Sequence, residues 1–255
     1  MIVKIVRRIL LHFGYELKWI RNQGKKKYPP DFTEENINII EKVKETTKTN
    51  RDRINALINA VKYISENQIK GAMVECGVWK GGSIMAMALT LNSLNDQTRE
   101  IYLYDTFTGM TEPGDKDICS LTGESVQKKY RDSKVSENVS TWSYSPLEEV
   151  QENVYSTGYP KGLFKFVQGK VEDTIPEIVP DKIALLRLDT DWYESTKHEL
   201  EHLYPLLVEH GVLIIDDYGH YEGAKLAVDE YISEKNLRVF LHRVDYSCRL
   251  SIKTK

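Results

Sequence analysis

The sequence predicts an α/β fold: a mostly parallel sheet with helices on both faces and an antiparallel edge. Three observations predict it. Short apolar runs alternate with helical segments along most of the chain, two of those runs end in acids, and two last runs follow one another closely enough to pair antiparallel. The 255 residues are 41% hydrophobic, enough for one sizeable core, and the formal net charge is -3.

In chain order, residues 1–28 form a helical extension. Ile2, Ile5, Ile9 and Phe13 recur at helical spacing, and Pro29 and Pro30 stop the pattern. A helical cap spans 31–70, with a helical pattern from Thr33 to about Asn67. The core, 71–255, then alternates. AMVECGV (72–78) is a strand, 83–94 a helix, EIYLYDTF (100–107) a strand, and 146–155 a helix. FKFVQG (164–169) and IALLRLDTD (183–191) are strands, Ser195 to Glu209 is a helix, VLIIDDY (212–218) a strand, and Ala224 to Ser233 a helix. LRVFLHRV and CRLSIK close the sheet. The polar stretch 107–145 is too long for a plain connection and is expected to be a lid or substrate loop.

The charge is unevenly placed. Residues 1–28 hold eight basic residues and one acid, a local +7, which leaves 27 basic against 37 acidic residues elsewhere, or -10. An acidic body of that kind excludes a general nucleic-acid binder. The basic segment suits packing on this protein or on a second copy, so a homo-oligomer is expected, and peripheral contact with an anionic membrane is the alternative. No apolar run reaches membrane-spanning length, and Lys4, Arg7 and Arg8 interrupt any signal-peptide core. Cys76, Cys119 and Cys248 form no CxxC pair, which points to a reducing, cytoplasmic setting. His198-Glu-Leu-Glu-His202 satisfies HExxH literally, but it lies between two strands and lacks a later third ligand, so zinc chemistry is set aside. His220 is read as an ordinary loop histidine.

Candidate chemistry sits at strand ends, where α/β sheets bind ligands. Glu75, Gly77, Gly81 and Ser83 form a glycine turn opening a helix. It is not the dinucleotide pattern, because the glycines are wrongly spaced and Glu75 would repel a pyrophosphate. An acid there suits a cationic ligand that also carries a carboxylate, such as the methionyl part of S-adenosylmethionine. Asp105, closing the next strand, suits ribose hydroxyls, and Glu172 and Asp173 are placed on the adenine side. Asp189 and Asp191 in LDTDWYEST, with Asp216 and Asp217 in LIIDDYGH, end two successive strands. Like charges so gathered call for a hard cation such as Mg²⁺ rather than zinc.

Taken together, VECGVWKGGS, YDTFTGM, LRLDTDWYEST and LIIDDYGHYEGAKLAVDEY resemble the macrocin O-methyltransferase (TylF-like) family over roughly residues 50–235. The resemblance implies a class I methyltransferase (Rossmann-like) fold. It also implies S-adenosylmethionine- and Mg²⁺-dependent methylation of a sugar hydroxyl on a polysaccharide precursor or glycosylated metabolite. By position, it places metal ligands at Asp189, Asp216 and Asp217, a general base at Asp191, and cofactor contacts at Glu75, Gly77, Ser83 and Asp105. Two other readings fit the same acids less directly: a metal-dependent methyltransferase of a catechol or other diol, and a non-catalytic scaffold, which would gain nothing from four clustered carboxylates.

Overall fold

The computed structural model describes residues 28–254. The basic amphipathic segment and the oligomer and membrane contacts expected of it therefore lie outside the described residues. The chain divides into two compact units, Met1–Thr33 and Glu34–Lys255. In the first, Phe32 N–H donates to the Pro29 carbonyl and the Tyr28 and Phe32 rings stand 5.7 Å apart.

The second unit opens with α1 (Glu34–Val43) and α2 (Arg51–Glu66), so the helical pattern over 33–67 is two helices with a break that the periodicity did not mark. The break falls in a threonine-rich stretch. Asn50 then starts α2 as its N-cap, with the Asn50 side chain accepting from the Asp52 and Arg53 amides. Both helices belong to the same unit as the sheet, and α2 packs on β6 and β7.

The core follows as β1 (Ala72–Cys76), α3 (Gly82–Ser93), β2 (Ile101–Asp105), α4 (Gln127–Ser133), β3 (Lys134–Ser136), β4 (Val139–Ser140) and α5 (Leu147–Tyr155). It continues with β5 (Phe164–Gln168), α6 (Val171–Thr174), β6 (Ile183–Leu188), α7 (Tyr193–Leu203), β7 (Leu207–Ile215), α8 (Glu222–Glu234), β8 (His242–Arg243) and β9 (Arg249–Ile252). The largest differences from the expected boundaries fall at two places. Helix α7 ends at Leu203, followed by a 3₁₀ turn at Tyr204–Leu206, and β7 begins at Leu207, inside the span expected to be helical. Of LRVFLHRV only His242–Arg243 pairs as strand.

The main sheet runs β5-β2-β1-β6-β7-β9-β8, parallel from β5 to β7, with β9 antiparallel to β7 and β8 antiparallel to β9. This is the mostly parallel sheet with an antiparallel edge expected from the sequence. Strands β1 and β6 are buried at every position, as central parallel strands covered on both faces must be. Val74, Cys76, Leu186, Leu188, Leu213 and Ile215 pack with Leu200, Leu203 and Val228 of α7 and α8 into one cluster. The alternate positions of the same strands face the other way, and there Glu75 and Arg187 are register partners on β1 and β6. Among the described residues no helix is long and apolar enough to cross a membrane.

Candidate active site

A cavity of about 360 Å³ opens at the carboxyl ends of β1, β2, β6 and β7. Its floor is built by the turn after β1. Gly77 has φ +84°, and a Cβ there would come within 2.1 Å of the Asp189 carbonyl, so only glycine lets β1 and the β6 loop approach this closely. Asp105 fastens the same turn. Its Oδ2 accepts from the Val78 and Trp79 amides at 2.8 and 3.1 Å, and its Oδ1 accepts from the Phe107 amide at 2.8 Å. Burial raises the Asp105 carboxyl against the pull of these bonds. Ser83 lines the cavity at the start of α3.

Arg187 is the centre of the site. It is 1% exposed, and its guanidinium donates to a Glu75 carboxylate oxygen, to Asp189 Oδ2 at 2.6 Å, to Asp216 Oδ1 at 2.7 Å and to Thr49 Oγ1 at 2.9 Å. Arg53 of α2 takes the other Asp216 oxygen at 2.5 Å and reaches Asp245, before β9, at 2.7 Å. A planar fork serving several carboxylates at once is an arginine geometry that lysine cannot copy.

Asp189, Asp191 and Asp217 each offer an oxygen, and the three lie within 4.8 Å of one another. Asp191 is held in the left-handed region at φ +72°. Asp217 Oδ2 is buried without a hydrogen-bond partner. Burial raises the Asp217 carboxyl well above its usual range, with Asp191 and Asp216 adding to it. Asp189 is raised likewise by burial, against the pull of Arg187 and with Asp216 and Asp217 adding to the raise. Burial, reinforced by Asp189 and Asp216, pushes Asp191 up to about 7. Burial also pushes Glu75 up to about 7, against Arg187.

The stretch 107–145 covers the cavity and carries α4 and the β3–β4 hairpin. Its two ends are joined at the base, where the Met110 amide donates to the Trp142 carbonyl and the Ser140 amide to the Thr108 carbonyl, each at 2.9 Å. Farther out, buried Asp117 accepts from the Tyr193 amide at 2.9 Å, and Trp192 Nε1 donates to the Thr111 carbonyl at 3.1 Å. Trp192, Tyr221 and Ala224 pack with Val126, Met110 and Trp142 beneath it.

The structure brings Glu75, Gly77, Ser83, Asp105, Asp189, Asp191, Asp216 and Asp217 to one cavity. It departs from the expected roles at Asp216, Gly81, Asp173 and His220. Asp216, expected as a metal ligand, has both oxygens engaged by Arg187 and Arg53 and is outside the three-acid group, whereas Asp191, expected only as a base, is inside it. Gly81 does not line the cavity: it is the left-handed N-cap of α3, and a Cβ on it would meet Val154 and Val150 of α5. Glu172 lines a smaller adjoining cavity with Gly77, Asp105 and Gly169, and Asp173 lines the next one along. His220, read as an ordinary loop residue, lines the main cavity.

Sequence reasoning missed Arg187, Arg53, Thr49 and Lys48. For Arg187 a signal was present, since an arginine inside the apolar run IALLRL cannot be buried without partners. Lys48 and Thr49 sit in the helix break, which was itself unread, and Arg53 in the first turn of α2 that follows it.

The profile of the family described as Macrocin-O-methyltransferase (TylF) matches residues 38–251. A tetracenomycin-tailoring enzyme of Streptomyces olivaceus, 8-demethyl-8-(2,3-dimethoxy-alpha-L-rhamnosyl)-tetracenomycin-C 4'-O-methyltransferase, is 33% identical over 179 residues. That match covers 70% of this chain and 64% of the relative, just under two thirds of its length. Demethyldecarbamoylnovobiocin O-methyltransferase of Streptomyces niveus is 30% identical over 193 residues, covering 76% of this chain and 70% of the relative. In three dimensions the O-methyltransferase NovP superposes with a TM-score of 0.72 at 27% identity, covering 82% of this chain and 83% of that one. CalS11, a calicheamicin methyltransferase, shares the fold at a TM-score of 0.57 and 17% identity. The seven-stranded sheet, the acids at its strand ends and a profile match over most of the chain agree, and the chain belongs to the macrocin O-methyltransferase (TylF) family.

Proposed function

We propose that this chain is an S-adenosylmethionine- and Mg²⁺-dependent O-methyltransferase acting on a sugar hydroxyl of a polysaccharide precursor or glycosylated metabolite. The observation that carries the reading is the convergence of Asp189, Asp191 and Asp217 at a cavity whose floor is the Gly77 turn. Three carboxylate oxygens within 4.8 Å, one of the acids with a buried unpartnered oxygen, form a hard donor set that fits a divalent cation. Glu75 Oε2, buried and likewise unpartnered at the cavity lining, fits the ammonium end of the methyl donor.

In this reading Asp189 and Asp217 hold the cation, which when bound supplies Lewis-acid polarisation of a sugar hydroxyl. Glu75, Gly77, Ser83 and Asp105 hold the donor, whose sulfonium supplies the methyl group, and Glu172 lies toward its base. The protein's own work is proton handling and alignment. A sugar hydroxyl is a poor nucleophile until its proton leaves, and Asp191 accepts that proton. Arg187 and Arg53 fix Asp216 and Asp189 so that the acids keep their spacing through turnover. The lid excludes water and meets the rest of the acceptor.

The test is methyl transfer from S-adenosylmethionine to nucleotide sugars, free glycans and glycosylated metabolites. Turnover should vanish with EDTA and return with Mg²⁺; a wild type indifferent to EDTA would overturn the metal role. Asp191→Asn should lose roughly 10²-fold or more in kcat while calorimetry still registers donor binding. Retained turnover would remove Asp191 as the base.

A further inference from the structure

The outer part of the cavity is lined by a second set of charges that the chemistry above does not use. Lys48, in the break between α1 and α2, and Lys129, in α4 of the lid, both line it, as does His220. Arg53 is spent on Asp216 and Asp245, but among the described residues neither lysine forms an ion pair. Each is held instead by neutral groups. Lys48 Nζ donates to Ser143 Oγ at 2.6 Å and lies 4.7 Å from the centre of the Trp79 ring, and Lys129 Nζ lies 3.8 Å from the centre of the Trp142 ring.

These cations are close enough to feel one another. Burial lowers the Lys48 ammonium's pKa and Lys129 adds to that, with Asp191 and Asp189 opposing. His220 is lowered by burial, by Arg53 and by Lys129. Two lysines from distant chain segments meet at one rim, and although Asp191 and Asp189 attract Lys48 from below, among the described residues no carboxylate ion-pairs with either ammonium, which leaves both free to take an anion. The cavity is therefore bipolar, with carboxylates at the strand ends and ammonium groups at the mouth. A neutral glycoside would make no use of the second pole.

We infer that the acceptor carries an anionic group, a phosphate or a carboxylate, on or next to the sugar ring, and that Lys48 and Lys129 bind it while the ring hydroxyl faces Asp191. This rests on the reading that the cavity takes a sugar acceptor. The anion and the reacting hydroxyl engage opposite poles, so the rim sets which end of the acceptor enters first.

The test measures binding on the full chain with Mg²⁺, so that it stands apart from turnover. Calorimetry would compare glucose 1-phosphate, glucuronate and methyl glucoside, which share a ring and differ in charge. At least one anionic sugar should bind about tenfold or more tightly than the neutral one at low ionic strength, with the advantage shrinking as salt screens it. The phosphate and carboxylate arms identify which anion the rim prefers. The double variant Lys48→Gln/Lys129→Gln should erase the advantage. Equal affinity for all three sugars, or an advantage that survives in the double variant, would overturn the inference. An absence of methyl transfer to any acceptor would count against the proposed function and leave the binding result intact.

Discussion

At the scale of single residues, Arg187 decides the character of the site. A buried guanidinium with three carboxylates is stable because each charge is answered; remove it, and Glu75, Asp189 and Asp216 remain with the cost of burial and less compensation. Arg187→Leu should therefore lose about 3–5 kcal/mol of stability, read from denaturant midpoints, and Mg²⁺ should recover part of it. The raised acids make a second prediction. Protons compete with a cation for Asp189 and Asp217, and a proton on neighbouring Asp191 removes a charge that would attract it, so Mg²⁺ affinity should fall as pH drops through 7, by about tenfold per unit when one proton is displaced. Affinity independent of pH between 6 and 8 would place the cation elsewhere. The acids were legible in the sequence because they end apolar strands, and position along a strand is a local property. Their division of labour was not, because Asp216 is claimed by arginines from β6 and α2, and no local pattern reports which charges meet across a sheet.

At the scale of elements, the α1–α2 break and α7 carry the lesson. The stretch KETTKTN contains neither proline nor glycine, so apolar periodicity ran through it; only Asn50, an N-cap residue, marked the new start. The break matters because it delivers Thr47, Lys48 and Thr49 to the cavity. Helix α7 contributes Glu199, fully buried, whose Oε1 accepts from Thr190 between the two acids of LDTD at 2.9 Å and whose Oε2 has no hydrogen-bond partner. Burial raises this carboxyl well above its usual range. The folded protein thus holds a proton that the unfolded chain releases above about pH 4.5, so Glu199 erodes stability as pH rises. Glu199→Gln keeps the acceptor for Thr190 and should raise the melting temperature at pH 8 more than at pH 5. A gain of the same size at both pH values would mean that the carboxyl is ionised in the fold.

At the scale of the whole molecule, the mostly parallel sheet and its antiparallel edge follow from the alternation of strands and helices and the two closely spaced last runs, and that much was readable in advance. The edge was read less well: His242–Arg243 is all that pairs from a segment expected to be a full strand, since Phe240 is 80% exposed and has no sheet face to cover. The stretch 107–145 was set apart by its length alone, and its internal helix and hairpin were not foreseen, because a polar stretch without period gives no register. Its closure at the base has a practical consequence. With Thr108 to Met110 bonded to Ser140 to Trp142, residues 111–139 leave and re-enter the body at one point, as a cassette does. Such a segment can be exchanged for another of different length provided that the two base bonds, the seat of Asp117 and the backbone bonds of Ile118 and Ser120 to Glu222 and His220 are matched, so acceptor choice can diverge, in a lineage or by grafting, while the sheet beneath stays as it is.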